Sequence, residues 1–167
     1  SPLQTTSFLP NVAMRNKKQA FPKTLLRENV GDNDVYPIRI TPGINRGYME
    51  GMYDKEFKLK RNTAAGGPVI YRGNQFPAQY ANIALATEPA GNLLRATKII
   101  ENNGKVTGKN LFDKQEILAS TDERFRPVNT NNTPDGTVMV VDFYHGIIQH
   151  RTYLTSYLRE QITMREL

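Results

Sequence analysis

Arg124 and Arg126 stand two positions apart around Phe125, in the stretch "STDERFRPVNTNNTPDG" from Ser120 to Gly136. In an extended strand, side chains at i and i+2 point to the same side, so both guanidinium groups would face one place. Two like charges on one face call for an anion between them. The competing reading is a structural network in which Asp122 or Glu123 neutralises the pair. Asn129 heads the run Asn129 to Thr133, whose amides either face a ligand or belong to a solvated loop. Pro134-Asp135-Gly136 reads as a turn, the Asp bonding backbone and the Gly supplying positive φ.

Two acids occupy equivalent places further along. Glu88 follows the apolar run "NIALAT" and Asp142 follows "TVMVV". Acids ending two neighbouring strands offer the oxygen ligands that Ca2+ takes. They would equally cap the loops that follow or pair with Arg95 and Arg151. His145 in "FYHG" reads as an exposed turn residue and His150 in "GIIQHRTY" as a packed, hydrogen-bonded histidine; neither has the spacing of a zinc motif. No serine lies in a Gly-x-Ser-x-Gly elbow. "GGPVIYRG" lacks the Walker pattern, so its glycines read as turns. The absence of Cys excludes disulfides, thiolate zinc sites and thiol catalysis.

The elements that must position these residues are short. A chain of 167 residues suits one domain. Ten Pro and twelve Gly, with a mean hydropathy of −0.55, describe a turn-rich, polar chain that wants neighbours to complete its core. The net charge of +6 admits an anionic partner. Apart from Lys17-Lys18 and Lys58-Lys60-Arg61, the basic residues are interleaved with acids, which argues against nucleic acid. No apolar run reaches the length of a membrane span, and "SPLQTTSFLP" lacks the pattern of a secretory leader.

Residues 1–34 show no sustained periodicity and read as an irregular arm. From Val35 onward come β-like runs: "VYPIRI", then a charged hairpin-like piece, "MYDKEFKLKRN". The middle and the last third repeat one order of strand, polar loop, apolar strand and turn, Pro68-Val69 matching Pro127-Val128 at about sixty residues. "GKVTGKNLFDKQEILAS" supplies an outer strand for the first unit. Four antiparallel strands per unit is the pattern of a propeller blade. The expected fold is therefore all-β, a partial β-propeller of about two four-stranded blades over 35–167; a small sandwich or an open sheet stays open. Leu154, Leu158 and Ile162 allow a short C-terminal helix.

The runs "VYPIRITPGINRGY", "AAGGPVIYRGNQFPAQY", "ATEPAGNLLR", "LASTDERFRPVN" and "PDGTVMVVDFYHGIIQHRTYLTSYLREQI" resemble the C-terminal blades of membrane-bound dehydrogenases of the glucose/sorbosone type. These are bacterial β-propeller proteins, often fused to a cytochrome c domain and assigned pyrroloquinoline quinone (PQQ) as cofactor. The Arg-aromatic-Arg element before a Pro-Asp-Gly turn is similar to one in soluble quinoprotein glucose dehydrogenases, where two arginines contact the quinone. The resemblance implies oxidation of a small sugar or alcohol, with PQQ held by Arg124, Arg126 and Asn129. It implies Ca2+ near Glu88 and Asp142, electrons passing to a cytochrome c, and a place in the periplasm or on the periplasmic side of a membrane. The remaining blades, from this or another chain, would carry the catalytic base, since His145 and His150 do not match it in position. Pro89 and Ala90 stand where those enzymes present a cofactor-binding lysine. The alternative role is a non-catalytic propeller segment whose apolar edges serve assembly.

Overall fold

A computed structural model describes residues 30–44 and 49–164. Most of the expected N-terminal arm, with Lys17-Lys18, lies outside the described residues. The described residues are all-β apart from short helical pieces, as the turn-rich composition predicts. Strands β1 (Gly66–Ile70), β2 (Ile83–Glu88), β3 (Leu93–Asn102) and β4 (Lys105–Asn110) form an antiparallel meander in sequence order. A two-residue strand, β5 (Leu118–Ala119), pairs with the start of β3. Strands β6 (Pro127–Asn132) and β7 (Val138–Asp142) make a separate hairpin. The first unit is thus the four-stranded sheet read from the sequence, and the second, among the described residues, has two strands.

Every residue of β2 is buried, because both faces of the meander are covered. Ile83 and Leu85 share one face with Leu94 and Ala96, in the register Leu85 opposite Ala96. Tyr71 completes that core, and Val138 and Val140 of β7 pack on it. The opposite face carries Leu93, which meets Val35, Ile44, Met52 and Leu59. A doubly buried strand reads as a continuous apolar run, which is what "IALAT" is.

The segment "VYPIRI" departs from its expected strand. An isolated bridge, Asp34 to Arg61, stands just before it, and residues 35–40 themselves lie as an irregular strap over the sheet. Pro37 has no N–H to give a ladder. Arg95, 2% exposed, ties the strap down, its Nη1 donating to the Asp34 carbonyl (2.7 Å) and its Nη2 to Asp32 Oδ1 (2.5 Å). The hairpin-like piece does form, with Tyr53 bridged to Leu59. Asp54 Oδ1 accepts from the backbone N–H of Glu56 and of Lys58 at its turn. The C-terminal helix α1 (Ser156–Met164) carries Leu158 and Ile162 as expected, whereas Leu154 stands before it in extended conformation; Leu158 sits directly over Gly43.

The seam between the two units is polar. Thr130 Oγ1 donates to the Gly67 carbonyl (2.8 Å). Asn132 Nδ2 donates to the Ile70 carbonyl and its Oδ1 accepts from Arg72 N–H. Tyr71 Oη donates to the Gly136 carbonyl (2.8 Å) while accepting from Gln75 and Phe76 N–H. Gly67 has φ +23°, and a Cβ there would lie 2.7 Å from Asn129 Cα and collide with that residue's Oδ1. Gly67→Ala is therefore expected to cost about 1–3 kcal/mol, read as a lower urea midpoint with unchanged m-value. An unchanged midpoint would mean that the two units are not packed this closely.

Candidate functional site

Arg126 enters just before β6, where the hairpin mouth fixes its backbone. Its N–H donates to Asp142 Oδ1 (2.7 Å) and its carbonyl accepts from Phe143 N–H (2.9 Å). The guanidinium then reaches three backbone carbonyls: Nε to His145 (3.1 Å), Nη1 to Pro89 (2.7 Å) and Nη2 to Gly146 (2.6 Å). These acceptors are neutral, and among the described residues no carboxylate lies within ion-pair distance of it. A guanidinium has five N–H donors, so one each on Nη1 and Nη2 remains. Burial lowers the Arg126 pKa from its ordinary value, the Arg39 cation lowers it further, and Glu123, Asp122 and Asp142 oppose.

Arg39 comes from the strap and stands at the same place. Its Nη1 donates to Asn92 Oδ1 (3.0 Å) and its Nη2 to Glu123 Oε2 (3.1 Å). Asn92 is fully buried and its Nδ2 donates to the carbonyls of Glu123 and Phe125, so one amide clasps the arginine to the turn beside Arg126. Arg39, Glu123 and Arg126 line a cavity of about 400 Å³. Its apolar wall includes Ile44, Leu158 and Ile162, and Tyr153 and Tyr157 add aromatic surface. Two cations against one carboxylate, opening on an apolar hollow, make a place for an organic anion.

The two arginines of the opening motif are separated by the structure. Arg124 lies in a turn, with its N–H on Asp122 Oδ1 (2.9 Å) and Phe125 N–H on the Asp122 carbonyl (3.2 Å). It is exposed and does not line the cavity. The shared strand face expected of Arg124 and Arg126 is corrected: Asp122 captures the local N–H groups and closes a turn there. Asn129 also stands away from the cavity, its Oδ1 accepting from Thr130 N–H and packing on Gly67. The Asn-rich run is not a free loop but part of strand β6, where Thr130 and Asn132 stitch the two units together.

Glu88 and Asp142 do have equivalent places, and both take up loop N–H groups. Glu88 Oε2 accepts from Thr63 and Ala64 N–H (2.8 and 2.9 Å), and Oε1 from Ala90 N–H and Thr63 Oγ1 (3.2 Å each). Burial raises the Glu88 pKa while those donors pull it back. Asp142 Oδ1 accepts from Arg126 and Tyr144 N–H. Both Glu88 oxygens are taken by backbone N–H groups and the Thr63 hydroxyl, and Asp142 engages Oδ1 alone; among the described residues no three carboxylate, His or Cys side chains gather as a metal set. Glu88, buried with both oxygens so occupied, does not fit a Ca2+ site as placed. His150 lines the cavity, its Nδ1 accepting from Thr152 N–H, whereas the His145 ring stacks on Phe143.

Of the residues assigned to PQQ by resemblance, Arg126 alone faces the cavity. Arg39 was missed because it belongs to an irregular segment and meets Glu123 across 84 residues of sequence, where no period or spacing marks the contact.

No curated protein and no solved structure matches this chain. A family model matches it over residues 1–167, and the chain belongs to that family, described as a domain of unknown function (DUF7133).

Proposed function

We propose that the chain is the binding portion of a larger β-propeller and that it holds an organic carboxylate in the cavity at Arg126. The observation that carries this reading is the Arg126 guanidinium, oriented by three neutral carbonyls and left without a carboxylate partner among the described residues. Arg39 adds a second cation already half-committed to Glu123, so one further negative charge balances the site. In the dehydrogenase implied by the motifs, that carboxylate belongs either to PQQ or to the acid formed from a sugar. PQQ, when bound, would supply the quinone that accepts hydride, with the electrons then leaving to a cytochrome c; the part of Arg126 would be to hold a carboxylate.

Calorimetric titration with PQQ, with gluconate and with neutral glucose tests this reading. One of the two carboxylates is expected to bind and glucose is not. Arg126→Ala should weaken binding by about tenfold to a hundredfold, the worth of a charged hydrogen bond. Because that variant also strips donors from three carbonyls, Arg39→Ala provides a second measurement and should weaken the same ligand. Equal binding of the neutral sugar, or full affinity in both folded variants, overturns the proposal.

One observation favours the assembly role. Met139, Val141 and Phe143 alternate along β7 and its end with exposures of 56%, 41% and 58%. Among the described residues the outer edge of β7 pairs with no strand. An exposed apolar edge invites pairing with another chain. If this role holds, the isolated chain self-associates in sedimentation and Val141→Lys restores a monomer; a monodisperse wild-type monomer counts against it.

A further inference from the structure

The lysines of the charged hairpin play no part in the cavity at Arg126. They wall a second, open groove of about 870 Å³, formed by the first part of the strap, the Tyr53–Leu59 hairpin and Lys114. Lys58 is satisfied by Glu56 at 2.7 Å. Lys55, Lys60 and Lys114 are exposed and make no ion pair among the described residues. Lys114 is held at φ +50°, a conformation that disfavours a side chain by about 1–2 kcal/mol. Turn chemistry alone would favour Gly or Asn there.

Charge is not the whole character of the groove. Tyr36 and Tyr53 line it together with Asp34 and Asp54. Asp54 Oδ1 is spent on its own turn, whereas the Asp34 carboxylate makes no side-chain hydrogen bond among the described residues. Nucleic acid and a uronate chain both carry one negative charge per residue, so the acids of the groove weigh on charge alone against either, and the choice rests on the neutral parts of the ligand. An acidic oligosaccharide carries one carboxylate per ring, spaced by hydroxyls that a carboxylate can accept from and by C–H faces that pack on aromatic rings. Lysines for the carboxylates, tyrosines for the ring faces and an aspartate for the hydroxyls are the three parts such a ligand needs.

We propose that this groove binds an acidic oligosaccharide of uronate units, with Lys55, Lys60 and Lys114 holding carboxylates and Tyr36 and Tyr53 packing the rings. The site is separate from the cavity at Arg126, and its occupation does not depend on what that cavity holds.

The chain has no Trp and eight Tyr, so tyrosine emission reports binding directly. Titration with a short oligogalacturonate is expected to give a saturable change whose affinity falls as salt rises. Lys60→Glu combined with Lys114→Glu, both on exposed residues, should weaken it about tenfold or more while far-UV circular dichroism stays unchanged. Presaturation with whichever carboxylate binds at Arg126 should leave it unaltered. The proposal is overturned if a neutral oligogalactan binds as tightly, if single-stranded DNA or poly-glutamate of matched charge does, or if the folded double variant binds like the wild type. Competition between the two ligands would overturn the separateness of the groove.

Discussion

Glu88→Ala is expected to lower the unfolding free energy by about 3–5 kcal/mol, measured as a shifted urea midpoint followed by far-UV circular dichroism. The side chain is fully buried, and its two oxygens accept from three backbone N–H groups and one hydroxyl. Truncation leaves those donors in a dry site, and each buried unsatisfied donor costs about 1–3 kcal/mol. Relaxation of the loop and entering water recover part of that sum, which sets the upper bound. Glu88→Gln should fall between wild type and Ala. An amide keeps one oxygen but turns its NH2 group toward N–H donors, since both carboxylate oxygens receive backbone N–H groups. If Gln and wild type unfold together, the carboxylate is not needed as a double acceptor and this account of the loop is wrong.

The same substitution reaches the cavity. Thr63, Ala64 and Ala90, whose N–H groups Glu88 holds, all line it, and the carbonyl of Pro89, next in sequence, anchors Arg126. A structural carboxylate therefore positions the Arg126 guanidinium through the loop between them. Carboxylate affinity should fall in Glu88→Ala even under conditions where the variant is folded.

How far such relations can be read from a sequence depends on their range. The turn at Pro134-Asp135-Gly136 is local: Asp135 Oδ1 accepts from Thr137 N–H, and Gly136 takes φ +83°. The helix is equally local, since Leu158 and Ile162 reveal it by their period. β2 was visible because burial on both faces leaves a continuous apolar run. "VYPIRI" has strand composition, yet what fixes it is Arg95 reaching across 61 residues of sequence to the carbonyl of Asp34, just before it. Arg39 was invisible for the same reason. The arginine pair misled in another way: the i, i+2 argument holds only for an extended chain, and Asp122 two residues earlier already carried the signal for a turn. Gly66 and Gly67, read as turn residues, serve close approach, because a Cβ at Gly66 would stand 2.6 Å from the Val128 carbonyl oxygen.

Stability should decline between about pH 4.5 and pH 7, with Glu116 a main contributor and the raised carboxyl of Glu88 acting in the same direction. The Glu116 carboxyl is raised from 4.5 to about 7, chiefly by burial; the Tyr36 N–H and Arg95 lower it, and Asp32 and Glu88 raise it. Between those two values the folded protein holds a proton that the unfolded chain has released. The stabilisation is then fully present below about pH 4.5 and is lost as pH rises through about 7. A displacement of that size corresponds to about 3 kcal/mol. Glu116→Gln keeps an acceptor for Tyr36 N–H, now 3.0 Å from Oε1, and removes the charge that burial disfavours. The variant should therefore match wild type near pH 4.5, unfold at higher urea at pH 8, and show a flatter profile between. Tyr36 belongs to the strap that carries both Arg39 and one wall of the lysine groove, so removing the buried charge beneath it should also tighten both sites at pH 8. Parallel pH profiles in the two proteins would place the titration elsewhere and break the link between Glu116 and the strap.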